Sequence, residues 1–429
     1  MRKLIFLTFL ILGISTTAFA TEQILVAGSD DTQQSTNTEY LAIAGNASLN
    51  QTNWTTGETN RRTVIPTAGV LSELRVEATT GPGTGNTRVY TVMIDGGATA
   101  LACTLSAAET NCNSAATTLT VSANEAASLR NAVTSAPVST GDAHWSLKFT
   151  PTTSKETIIM GGSAGASIGT TSNVRAPMHG LRPSVTSSTP NTSVRFPTAG
   201  TLENMYIKVE TAPGAGTTRV FQYGSVDCTI SNAETECNSD TDTQAVVAGE
   251  DYWLEIDVTG TPAASQGEWG VQFTTTTDGE FVIAMSTNNA HHGSSTEYSI
   301  LSAGQNTWSG TITNSDNLMG EMTISDIYVK LDNDPSSGDS YAYTLMQDAG
   351  ATLLTCTISN TETECNGASD ISISNDELGS TRVVPTSNPD SADAQISYLG
   401  KIAVGGGGIS ATGTIVEGGS IFEGNVILQ

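Results

Sequence analysis

Three copies of one ten-residue stretch set the plan of this chain: Cys103-Thr-Leu-Ser-Ala-Ala-Glu-Thr-Asn-Cys112, Cys228-Thr-Ile-Ser-Asn-Ala-Glu-Thr-Glu-Cys237 and Cys356-Thr-Ile-Ser-Asn-Thr-Glu-Thr-Glu-Cys365. They hold all six cysteines, and their first cysteines lie 125 and then 128 residues apart. A fixed period of that size means a tandem array of about three similar units. If each stretch is two strands joined by a two-residue loop, its cysteines face each other on a non-hydrogen-bonded pair. The Cα atoms then sit about 4.5 Å apart, within reach of a disulfide. The spacing without nearby histidines fits zinc poorly. Three local hairpin disulfides, Cys103–Cys112, Cys228–Cys237 and Cys356–Cys365, are therefore expected.

The start of the chain supports an oxidising compartment. Met1-Arg2-Lys3, an apolar run from Leu4 to Ile14, and Ala18-Phe19-Ala20 have the form of a secretory signal peptide. The apolar run is short for a membrane span, and no other stretch approaches the needed length, so no transmembrane segment is expected. Export and paired cysteines agree. The expected location is secreted: extracellular, cell-surface or periplasmic. Formal net charge is −26, which argues against nucleic-acid partners because phosphate contacts need Lys and Arg. It also argues against adhesion to anionic lipid.

The repeat extends beyond the cysteines. Ile65-Pro-Thr-Ala-Gly69 and Phe196-Pro-Thr-Ala-Gly200 each precede a strand; unit three offers only Met322-Thr-Ile-Ser-Asp-Ile-Tyr-Val-Lys330. Met205, Ile207, Val209 and Ile327, Val329, Leu331 alternate with the period of a half-buried strand. Turns follow at Gly81-Pro-Gly-Thr-Gly85, Pro213-Gly-Ala-Gly216 and Asp334-Pro-Ser-Ser-Gly338, then another strand, then the cysteine stretch. Units one and two close with His144-Trp-Ser-Leu-Lys-Phe149 and Glu268-Trp-Gly-Val-Gln-Phe273, unit three with the weaker Ala394-Gln-Ile-Ser-Tyr398. No stretch has helical periodicity. The expected fold is all-β: about three tandem β-sandwich units of jelly-roll or Greek-key type. The divisions are 1–20 signal peptide, 21–153, 154–277 and 278–400 sandwiches, and 401–429 a Gly-rich tail with strand candidates Thr414–Val416 and Asn425–Leu428.

One apolar strand recurs four times against three cysteine stretches: Ile24-Leu-Val-Ala-Gly28, Ile158-Ile-Met-Gly-Gly162, Phe281-Val-Ile-Ala-Met285 and Ile402-Ala-Val-Gly-Gly406. Either it opens each unit and a fourth unit is truncated, or it links neighbours. The units could lie in a line or pack around a pseudo-threefold axis. The order of turn motifs and strands resembles repeats in uncharacterised secreted bacterial proteins and in some phage structural proteins. That resemblance implies surface, structural or adhesive roles and carries no functional residues.

Chemical motifs are sparse. Gly161-Gly-Ser163-Ala-Gly165 spells a nucleophile elbow, but no helix pattern follows it. His291-His292 would point to opposite faces of a strand. Glu234/Glu236 and Glu362/Glu364 share a strand face, where a solvated surface is the plainer account. Asp332, Asp334 and Asp339 crowd oxygens enough for a candidate calcium site but lack the EF-hand pattern. Trp145 and Trp269 fit a core face, whereas Trp54 and Trp308 stand in polar segments where exposed rings could stack on glycans. The expectation is a non-enzymatic surface or matrix protein without a cofactor, calcium aside, whose partners are itself, surface or matrix components, or glycans. The alternative is a carbohydrate-binding, lectin-like protein.

Overall fold

The computed structural model describes residues 22–29, 37–47, 54–114, 116–134, 137, 141–170, 173–182, 192–287, 290–291, 293–306, 308–403, 415–417 and 420–422. The signal-peptide stretch 1–20, His292 and the strand candidate 425–428 lie outside the described residues. The fold is all-β, with two short 3-10 turns, Glu58–Arg61 and Ile312–Asn314, as the only helical elements among them.

Each unit is a two-layer sandwich. In unit one, the first sheet runs Gln23–Ser29, Ala143–Pro151, Gly69–Ala78 and then Asn111–Asn113, with Thr118–Val121 also on Gly69–Ala78. The second runs Glu39–Leu41, Glu125–Thr134, Gly83–Ile94 and Gly97–Ala107. Taken by sequence, the first, last, third and sixth strands share one sheet, and the second, seventh, fourth and fifth share the other. That connectivity is a jelly roll, two Greek keys wrapped together. Unit two repeats it in the orders Glu156–Gly162, Gly267–Thr275, Gly200–Val209, Glu236–Val246 and Val174–Ala176, Leu254–Thr259, Gly214–Tyr223, Val226–Asn232. Unit three does likewise, from Glu280–Thr287 beside Ala394–Lys401 and from Glu297–Ser299 beside Leu378–Thr386. Each third strand carries a bulge at a left-handed residue, Glu73, Asn204 or Asp326, where the register slips against the closing strand.

All three disulfides are present and local. They do not close hairpins, which corrects the expected geometry. The two strands of each cysteine stretch belong to different sheets: Gly97–Ala107 pairs with Gly83–Ile94, and Asn111–Asn113 with Gly69–Ala78. Each bond therefore staples the two layers at a corner, with Cα atoms 5.7 to 5.8 Å apart. A left-handed residue makes the corner (Ala107, Asn232 or Asn360). The recurrent Ser-x-x-Glu secures it, since the Ser106 and Ser231 amides donate to Glu109 and Glu234 carboxylates at 2.8 and 3.0 Å.

The recurring apolar strand opens each unit. Gln23–Ser29, Glu156–Gly162 and Glu280–Thr287 each pair with the closing strand of their own unit. Of the fourth copy, only Ile402 and Ala403 are among the described residues. Lys401 ends the closing strand of unit three, Ile402 and Ala403 follow without strand structure, and the Ile402 amide donates to the Gly279 carbonyl at 3.0 Å. In the tail, Ile415–Glu417 pairs antiparallel with Ser420–Phe422.

The opening strands explain their own composition. Leu25 and Ala27 lie in the core of unit one, while Ile24 and Val26, on the opposite face, lie in the core of unit three. Likewise Ile159 belongs to unit two, but Ile158 and Met160 enter the core of unit one. Ala284 of unit three enters the core of unit two, and Val282 packs against it. A strand buried on both faces reads as a continuous apolar run. Each core is thus completed by the next unit, cyclically, and the units form a ring around a pseudo-threefold axis. At that axis the glycine after the second strand of each unit meets its counterparts. A Cβ on Gly45 would lie 2.6 Å from the Gly180 Cα, and one on Gly180 2.2 Å from the Gly304 nitrogen.

Candidate functional site

The expected glycan platforms are not on the surface. Trp54 is 4% and Trp308 8% exposed. The Trp54 indole N–H donates to Ser29 Oγ at 2.9 Å, and its ring packs against Trp145 and Tyr90. Trp308 stacks on His291, whose ring also lies 4.0 Å from that of Tyr341. Both indoles plug the end of a sandwich, so neither offers a face to a sugar. Their polar neighbours in sequence had suggested otherwise, because only the ring, not its flanking residues, enters the core.

The other motifs also resolve into structural contacts. Asp332 Oδ1 accepts from the Asp393 amide at 2.8 Å, and Asp334 Oδ1 from the Ser336 amide at 2.9 Å. The first bond ties two distant segments together and the second caps a turn, and among the described residues no group of three or more His, Cys, Asp or Glu is placed to hold a metal. Asp332, Asp334 and Asp339, the candidate calcium ligands, form no such group. Glu234 caps its own corner, while Glu236 accepts from the Tyr206 hydroxyl at 2.7 Å, so that pair is split between two tasks. Ser163 is buried and accepts from the Gly267 amide at 3.0 Å, on a loop rather than an elbow.

What the structure does bring together lies on unit two. Asp251, Trp253 and Glu255 alternate along one stretch, whose strand Leu254–Thr259 is paired on both sides, and share its outward face. With Gln222, Gly224 and Tyr252 they line a cavity of about 450 Å³ open to solvent. Trp253 is half-buried. The Arg175 guanidinium sits 5.0 Å from its ring centre, a cation–π distance, and lies opposite Glu255 across the strand pair. Tyr252 is pinned edge-on against Phe196 and donates to Glu250 Oε2 at 3.0 Å.

Beside the cavity runs the boundary with unit three. Arg195 Nε donates to Asp251 Oδ1 at 2.8 Å, Lys330 of unit three reaches Asp251 Oδ2, and Arg195 also reaches Glu364 of unit three. Burial alone would raise the Asp251 carboxyl. The two cations outweigh it and hold the group below its ordinary value, so it stays ionised at the cavity wall.

Trp253 has no counterpart. The cross-strand registers place Ser128 of unit one and Ser380 of unit three at the same position. There the serines serve their own units; Ser128 donates to Glu58 at 3.1 Å. Sequence reasoning passed over Trp253 because it sits within Asp251-Tyr-Trp-Leu-Glu255, where two adjacent aromatics leave strand parity undecided. The difference between units was the available signal.

The seams carry three further equivalent residues, one before each closing-strand core position. His144 faces the Asp316 backbone of unit three, Glu268 faces Arg62 of unit one, and Gln395 accepts from Ser193 of unit two at 2.7 Å. Burial drives His144 down to about 4 and Glu268 up to about 7. Asp316 is raised to about 6, again chiefly by burial.

No family model matches this sequence, and no curated protein matches it.

Proposed function

We propose that this chain is an exported, non-enzymatic building block of a cell surface or extracellular matrix: three jelly rolls fused into one pseudo-trimeric body. The observation that carries this reading is the cyclic sharing of cores. Ile24 and Val26 in unit three, Ile158 and Met160 in unit one, and Ala284 in unit two lock the three sandwiches into a single body. Such a body resists shear and proteolysis between units, which suits a structural or adhesive part. The corner disulfides fit an oxidising compartment, and no helix among the described residues is long and apolar enough to cross a membrane. The acidic surface keeps such a body dispersed outside the cell. The test is to fractionate the producing cells and sequence the mature N-terminus. Recovery on washed cells or shed appendages, with residues 1–20 removed, supports the proposal. A cytoplasmic, full-length product with free thiols would sink it.

The Trp253 cavity favours a second reading, binding of a glycan. A partly exposed indole supplies an apolar face for a sugar ring, and Gln222, Asp251 and Glu255 supply hydrogen-bonding groups for hydroxyls. A glycan array run with the intact protein and with Trp253→Ala decides it. Binding lost in the variant supports the reading, and binding unchanged by it, or none to begin with, removes it.

A further inference from the structure

One sheet of unit two carries an outward face whose charge is inverted relative to the other two units. The cross-strand registers make the comparison residue by residue. Across this sheet, unit one runs Tyr40, Arg130, Thr91, Ala102, and unit three runs Tyr298, Arg382, Thr344, Thr355. The same row in unit two reads Arg175, Glu255, Gln222, Asp227. Two residues further along, Asp257 stands where Ala132 and Val384 stand. Their strand neighbours Ala176, Leu254, Ile256, Phe221 and Cys228 lie in the core, so the row faces outward. An arginine has thus become Glu255 and two further acids have been gained, on the face where Trp253 replaces a serine.

We propose that the Trp253 cavity takes a glycan bearing free amino groups, a 2-amino-2-deoxy sugar whose ring stacks on the indole and whose ammonium pairs with Glu255. This rests on the glycan reading above and narrows it. Among the described residues that line the cavity, Asp251 and Glu255 are acids and none is a base, so an acidic sugar finds repulsion there and no cation to receive it. Asp251 is already held by Arg195 and Lys330. Glu255 is met by Arg175 only at 3.9 Å, and that guanidinium also lies over the Trp253 ring. Glu255 therefore keeps the greater capacity to accept a charge-assisted hydrogen bond. Burial, and after it the Glu255 charge, raise the Asp257 carboxyl against the pull of Arg175. Like charges thus crowd this face, and a bound ammonium relieves them. An ammonium beside an indole gains a cation–π attraction as well.

The test is titration calorimetry of the full chain with a glucosamine tetramer and with its fully N-acetylated counterpart, in physiological salt at about pH 6, where the amine is protonated. The two share a ring and differ in charge. Expected is at least about tenfold tighter binding of the amine tetramer. Glu255→Gln should bring the two within about twofold without weakening the N-acetylated one, whereas Trp253→Ala should lose both. Glu255→Gln removes one charge from a chain at −26, so general attraction of a polycation would survive it. A preference that persists in Glu255→Gln therefore overturns the proposal. Equal or tighter binding of the N-acetylated tetramer overturns the amine assignment and leaves the glycan reading standing. A lysine tetrapeptide that displaces the sugar with equal affinity, or no binding of either tetramer, also overturns it, and the array with Trp253→Ala then judges the glycan reading on its own.

Discussion

The first seam, between units one and two, and the third, between units three and one, differ in chain continuity and in the hydrogen bond from Thr67 to Glu156, and the difference separates two ways of holding subunits together. Both use an opening strand buried on two faces, and both place a titratable residue of the closing strand against the neighbouring unit. The first is also continuous in the chain, since residues 152–155 carry the backbone from unit one to unit two. The third has no such link, and packed side chains together with the parallel pairing of Ala303–Asn306 and Asn46–Ala47 close it. The ring therefore contains an internal control: what the third seam does, packing and that pairing do; what the first seam does beyond that, connectivity and its Thr67–Glu156 bond add.

The largest effect should come where all seams meet. Gly180→Ala places a Cβ against the Gly304 backbone and demands a left-handed φ of +69° from alanine. A loss of about 4 kcal/mol or more is expected in urea unfolding, in the range reserved for backbone clash and strain. Gly216→Ala, also left-handed at +74° but with nothing within 4 Å of its added methyl, should cost only about 1–2 kcal/mol. Equal losses would mean that the axis is not a close-packed point.

Next come the shared cores. Ile24→Ala and Ile158→Ala each leave a cavity in a neighbouring unit and should each cost about 2–4 kcal/mol. The comparison lies in how the loss is expressed. Ile158→Ala should lower global stability with unfolding still cooperative. Ile24→Ala should also let the unlinked third seam open below the global transition, seen as faster amide exchange in Gln23–Ser29. If the two variants behave identically, connectivity adds nothing to the first seam.

The pH response should separate the seams by sign. In the unfolded chain Glu268 titrates near 4.5, in the native state at about 7. Its burial costs nothing on this account below pH 4.5. Stability is lost as pH rises through 7, on the order of 3 kcal/mol in all. Glu268→Gln should flatten the pH dependence between 4.5 and 7 and raise stability at pH 8. At the third seam two groups oppose each other. His144, depressed from 6.5 to about 4, loses stability as pH falls across that window, whereas Asp316, raised from 3.8 to about 6, gains it. Chemical denaturation from pH 4 to 8 checks this, and an unchanged slope in Glu268→Gln would remove Glu268 as the cause. The smallest effect belongs to the rim. Lys330→Ala removes a partly exposed partner of Asp251 and should cost about 0.5–1 kcal/mol, less at high salt.

Much of this architecture is legible in the sequence. The cysteine period gives the unit count, the local pairing follows from the short spacing, and the alternation in Met205, Ile207 and Val209 marks a sandwich strand. The corner geometry is not legible, because a Ser-x-x-Glu corner between two sheets and a hairpin loop use the same residues in the same order. Nor is the fate of Trp54 and Trp308, since polar flanks say nothing about where one ring points. The opening strands did carry a readable sign. Ile24-Leu-Val-Ala and Ile158-Ile-Met lack alternation, and a strand with no polar side has no solvent side. The meeting of Gly45, Gly180 and Gly304 is only half legible: Glu39-Tyr40 with Ala44-Gly45 and Glu297-Tyr298 with Ala303-Gly304 repeat one another, whereas Gly180 stands between His179 and Leu181 in an unlike stretch.

Glu22 and Ala403 line one groove, and this has a consequence for genetics rather than for packing. A body in which residues 22 and 403 meet at a boundary equivalent to its internal ones can be reopened at those internal ones. Joining residue 403 to residue 22 across the groove and starting translation at residues 152–155 or 276–279 should yield the same body from a reordered gene. The order of the three units along the gene would then be an accident of how a threefold repeat was cut rather than a requirement of the ring.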